Sequence, residues 1–85
     1  MSTPEKHEIF LAAEDAFESE VIGAVAMAAA EQIGATTGRA AEHYITDLRA
    51  IAAGMTPDAA WERYGSTGVD ALISDVDDLR VERAR

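Results

Sequence analysis

The chain has 85 residues, a formal net charge of −9, no cysteine and 48% apolar residues. It is too short for two domains of ordinary size and too apolar for wholesale disorder, and without cysteine it has neither a disulfide scaffold nor thiolate chemistry. Sixteen acids against seven bases, with Lys6 the only lysine, argue against a protein that grips nucleic-acid phosphates directly.

The chain reads as helical throughout. Ser2-Thr3-Pro4-Glu5 is a helix start: a hydroxyl cap, proline in the first turn and glutamate three residues after Ser2. No breaker follows until Gly34 except Gly23, so a long first helix over residues 4–33 is predicted, either bent near Gly23 or projecting to a second surface. Ile9, Phe10, Ala13, Ala16 and Phe17 share one side of its first half, opposite Glu8, Glu14, Asp15 and Glu18. The stretch Val21 to Ala30 carries no charge on any face and includes five alanines. Such a helix is buried on several sides, which makes Val21, Ala24, Val25 and Ala28 candidates for the core centre or for a self-association seam. The stretch is about half the roughly 20 residues a membrane span needs, and no targeting segment is readable, so a cytoplasmic protein is expected.

A second helix is predicted over 38–53, capped by Thr36 or Thr37 and ended by Gly54. Ala41, Tyr44, Ile45, Leu48, Ile51 and Ala52 form its apolar stripe, with Arg39, Glu42, His43 and Asp47 off it. Gly34 to Thr37 is a short link, so these two helices are expected to form an antiparallel hairpin. Thr56-Pro57-Asp58 opens a short helix over 57–64 that closes at Gly65 and carries Trp61 and Tyr64 on one face, a pair that reads first as core packing and second as a partner anchor. A last helix over 68–83, with Thr67 and Asp70 as a cap pair, aligns Val69, Leu72, Ile73, Val76 and Leu79 opposite Asp70, Asp75, Asp77, Asp78 and Glu82. Ser74 offers a second cap within it, and Arg80, Arg83 and Arg85 suit the negative end of its dipole.

Each candidate for chemistry has a simpler structural account. Asp75-Val76-Asp77-Asp78 has the acids of a calcium loop, but Leu79 and Arg80 follow where the glycine turn belongs. His7 and His43 neighbour Glu8 and Glu42, and adjacent residues point about 100° apart on a helix, so neither pair makes a metal site. Ser2, Ser66 and Ser74 read as caps or cap neighbours, and Ser19 has no histidine nearby. Gly65-Ser66-Thr67-Gly68 has no following lysine or preceding strand and reads as a helix-to-helix turn. The segment Thr56 to Leu79 has the outline of a helix-turn-helix, but its second helix would present Asp70, Asp75, Asp77 and Asp78 to phosphates.

The expectation is an all-α small helical bundle, a long N-terminal hairpin with a shorter C-terminal helical pair, dimeric, with no cofactor or metal. In function it is a non-enzymatic protein-binding or regulatory module, of the accessory kind that bacteria and their phages encode. Its partner surfaces would be Trp61 and Tyr64, and Asp70, Asp75, Asp77 and Asp78; its partners would be a second copy of itself and an unidentified, basic protein. Two rival readings are an acidic decoy that occupies a basic protein's nucleic-acid site, and a structural or assembly subunit. The charge has a pattern: residues 1–34 hold seven acids and one base, residues 35–55 are balanced, and residues 56–85 hold seven acids and four bases.

Overall fold

In the computed structural model, which describes residues 4–85, the single long helix expected at the N-terminus is two helices, α1 (Pro4–Phe17) and α2 (Glu20–Ile33). The break falls at Glu18-Ser19 and not at Gly23. Glu18 takes a left-handed φ of 53°, and the Ser19 N–H donates to the Glu14 carbonyl, the bond that closes a helix end of the Schellman type. Ser19 then starts the next helix: its backbone is extended and its hydroxyl accepts the Ile22 N–H at 3.3 Å. One residue with positive φ and one capping serine therefore reverse the chain without a glycine or proline. The Ser2–Thr3 cap expected for the first helix lies outside the described residues.

The two helices run antiparallel. Lys6 near the start of α1 pairs with Glu31 near the end of α2 at 2.8 Å, while Phe10 meets Gly23 further along. Gly23 is what lets them close: a Cβ there would lie 2.9 Å from the Phe10 carbonyl oxygen and 3.1 Å from its ring. The hairpin at the N-terminus is thus internal to residues 4–33, and in place of the expected hairpin of one long helix with the second, it is α1 that packs against the helix over residues 38–52.

Three further helices follow: α3 (Gly38–Ala52), α4 (Pro57–Tyr64) and α5 (Val69–Arg83). α3 packs on α1, α5 packs on both α2 and α3, and α4 lies against α2 and α5. The four longer helices close a ring, and α4 leans on one side of it. The result is an all-α compact globule of five helices, with no strand among the described residues. None of the described helices is long and apolar enough to cross a membrane.

Local signals set most boundaries. Thr56 caps α4 through its hydroxyl, which accepts the Ala59 N–H at 3.2 Å, with Pro57 opening the first turn. Thr37 precedes α3 without a side-chain cap bond, and α3 ends at Ala52, just before Gly54. Gly68, not Thr67, stands at the start of α5, and α5 continues unbroken through Ser74. The uncharged stretch of α2 is the centre of the core: Ile22, Gly23, Val25, Ala26, Ala29 and Ala30 are buried. Three of these six are alanine and one is glycine, so much of the volume comes from elsewhere, and Tyr44 and Tyr64 are the largest fully buried side chains.

Candidate functional site

α4 divides the two aromatic residues expected to act together. Tyr64 is fully buried, its ring edge-on to Phe17 at 5.6 Å and 71°. Trp61, one turn earlier, is 50% exposed. Its indole lies near the turn backbone, since a Cβ at Gly65 would be 3.6 Å from Trp61 Cε2, and Asp58 and Glu62 are exposed on the same helix. Tyr64 has no surface to offer a partner in this fold; Trp61 does.

The four late aspartates also separate. Asp70, Asp77 and Asp78 are exposed, and none is in an ion pair among the described residues. Asp75 turns inward and ties α5 to α4. Arg63 donates to it twice, from Nε at 2.6 Å and from Nη2 at 2.5 Å, and the Tyr64 hydroxyl donates to the same carboxylate. The two hydrogen bonds from the Arg63 guanidinium hold the Asp75 carboxyl below its usual range, against the opposite effect of burial. Burial pushes the Tyr64 phenol above its ordinary value, and its bond to Asp75 adds to the rise. A carboxylate held this way is a structural clamp, which removes Asp75 from any acidic docking face.

A second clamp sits where the sequence pattern indicated solvent. Asp47, placed off the apolar stripe of α3, is 1% exposed. Arg80 Nε donates to its Oδ2 at 3.3 Å, and Arg83 Nη1 donates to its Oδ1. The arginines of the last turns of α5 thus reach across to α3, beyond their favourable place at the helix end. The only local signal is their spacing of three, which puts Arg80 and Arg83 on one face of α5.

The two buried tyrosines make opposite predictions. The Tyr44 hydroxyl has no hydrogen-bond partner among the described residues. Burial pushes its phenol above the ordinary range, and the Arg80 charge opposes the rise. Tyr44→Phe is expected to stabilise the fold by about 1 kcal/mol, since it removes an unpaired buried hydroxyl. Tyr64→Phe is expected to cost about 1.5 kcal/mol, the low end for a hydrogen bond to a charged acceptor that retains its arginine. Thermal unfolding of the two variants by circular dichroism checks the pair: shifts of the same sign would contradict the assigned hydrogen bonds.

The proposed self-association residues lie at different depths on α2. Val21 and Ala24 are exposed, Ala28 is half-buried and Val25 is buried. On the other side of the molecule's N-terminal hairpin, α1 and α3 bound an open groove of about 380 Å³ lined by Glu8, Leu11, Ala12, Asp15, Ile45 and Arg49. Leu11, which the sequence pattern left outside the apolar stripe, is 46% exposed there. His7 and His43 are both exposed, and among the described residues no group of three or more metal-ligating side chains is gathered. No protein-family model matches the chain, and comparison with curated proteins and with solved structures finds no significant match.

Proposed function

We propose that the chain is a small protein-binding module of the cytoplasm, without catalytic chemistry of its own, that holds a partner protein through Trp61. The half-exposed indole carries this reading. Tryptophan is the side chain most often found to dominate a binding interface, because one residue brings large area at low entropic cost. Trp61 stands on a helix tied to the body by the Arg63–Asp75–Tyr64 clamp, so its backbone is held before binding. Asp58 and Glu62 give it an acidic rim, which suits a partner with a hydrophobic pocket and basic edges.

The fold itself does not call for a homodimer. The long projecting helix that would need a second surface is absent, because residues 4–33 fold back on themselves as α1 and α2. The proposed unit is therefore the monomer, and Val21, Ala24 and Ala28 are the strip a second copy would use. A dimer in sedimentation velocity that Ala24→Glu dissociates would restore the dimeric reading.

Affinity capture from the native host tests the Trp61 reading. The expected result is a prey retained by the unsubstituted chain and by Asp70→Asn/Asp77→Asn/Asp78→Asn, but weakened more than about tenfold by Trp61→Ala with the fold intact. The decoy reading, which the exposed Asp70, Asp77 and Asp78 support, makes the reverse forecast. Its prey would survive Trp61→Ala, be lost with the three asparagines, and dissociate steeply as salt rises. That outcome would overturn the proposal.

A further inference from the structure

We propose that the groove between α1 and α3 is a docking site for a basic amphipathic helix of another protein, an interaction separate from Trp61, which stands on a helix packed against α2 and α5. Glu8, Leu11, Ala12 and Asp15 recur at helical spacing and form a single face of α1, while Ile45 and Arg49, one turn apart, form the facing wall of α3. The floor is apolar: Leu11 is 46% exposed although its neighbour Ala12 is buried, and Ile45 is half-buried opposite it. An exposed leucine alone is ordinary, but one that lines a groove between two helices is a contact waiting for an apolar side chain.

The charges specify the occupant. Glu8 and Asp15 flank Leu11, are exposed, and form no ion pair among the described residues; Arg49 across the groove is equally unpaired. Glu8 and Asp15 lie seven residues apart, about 10.5 Å along α1. A helix laid alongside with cations two turns apart reaches both carboxylates while an aliphatic residue between them meets Leu11 and Ile45. Arg49 on the other wall takes an acid from the occupant's far edge, which orients it. The chain's net charge of −9 attracts such a segment from a distance. A second copy fits less well, because two grooves placed face to face would set four carboxylates against two guanidinium groups.

The test uses a dye-labelled 15-residue amphipathic peptide of leucine and lysine with one glutamate on its far edge, with fluorescence anisotropy read at 0.15 M salt. Leu11→Asp is expected to weaken binding about tenfold even though it makes the protein more acidic. Glu8→Gln/Asp15→Asn is expected to weaken it several-fold, and Asp77→Asn/Asp78→Asn to leave it within about twofold. Binding that tightens or holds with Leu11→Asp, an equal loss with Asp77→Asn/Asp78→Asn, or equal binding of a scrambled peptide without an apolar face would each overturn the proposal. So would a dimer of the free protein that Leu11→Asp dissociates, since the groove would then belong to a second copy. Should Leu11→Asp unfold the chain, amide chemical-shift changes in the unsubstituted protein decide the matter: shifts centred on Leu11, Ile45 and Arg49 support the site, and shifts centred on α5 overturn it.

Discussion

Arg80→Ala combined with Arg83→Ala is expected to destabilise the protein by about 3 kcal/mol, the lower end of the range for stranding a buried charge. The reason is the asymmetry of the clamp. The Asp47 side chain is 2% exposed, whereas those of Arg80 and Arg83 are 39% and 48% exposed. Losing the arginines leaves the carboxylate desolvated and unpaired, while losing Asp47 leaves two cations that rehydrate. Solvent screening on the arginine side keeps the figure at the lower end. Each single variant leaves Asp47 one partner, so the double variant is expected to cost clearly more than the two singles together. Adding Asp47→Asn to the double variant is expected to recover much of the loss, because no buried charge remains. Urea denaturation followed by far-ultraviolet circular dichroism measures all four. A double-variant loss below about 1 kcal/mol would mean that Asp47 is hydrated in solution. For a domain of this length, whose total stability is of the order of 4–13 kcal/mol, the expected loss removes a substantial part.

The turn between α4 and α5 carries the second large effect. Gly68→Ala is expected to cost about 3 kcal/mol, the upper end for overpacking, because the obstruction is backbone. A Cβ at Gly68 would lie 2.7 Å from the Tyr64 carbonyl carbon, closer still to its Cα, and 2.9 Å from the Arg63 carbonyl oxygen. A flexible side chain moves aside from such a contact, but these atoms belong to the last turn of α4. Gly68 is also buried, donates its N–H to the Gly65 carbonyl at 2.8 Å and accepts from Leu72 at 2.9 Å, so it has little freedom to shift. The consequence passes to the Arg63–Asp75–Tyr64 clamp, since both Arg63 and Tyr64 precede the obstructed turn. A fall in Tm of more than about 10 °C is expected for a domain of this size. A fall below about 4 °C would show that the turn relaxes around the new methyl group.

The first of these predictions concerns charges that couple distant parts of the chain, and there the sequence pattern is least informative. The acids were assigned to solvated faces by periodicity, which holds for Asp70, Asp77 and Asp78 but not for Asp47 or Asp75. Periodicity knows only the neighbours three and four residues away. Asp47 is bound by residues 33 and 36 positions later, and Asp75 by residues 11 and 12 positions earlier. The α1/α3 groove was invisible for the same reason. Leu11 is exposed because of where α3 lands on α1, and nothing local to Leu11 expresses that.

The sequence by itself determined the helical character of the chain, the proline-started α4, the glycine turn before α5 and the apolar stripes of α3 and α5. Those are local properties, set by caps, by φ and by spacing within a few residues. Tertiary packing decided that the first helix divides at Glu18-Ser19: α2 folds back on α1, with Phe10 against Gly23 and Lys6 paired with Glu31, and this holds Glu18 in the left-handed φ that the Schellman bond and the Ser19 cap complete locally. It also decided that Tyr64 faces inward while Trp61 faces out, and that two aspartates serve as clamps. The composition and net charge bounded the outcome to a small acidic helical domain. Which carboxylates remain available to a partner followed only from which ones the arginines of α4 and α5 had already taken.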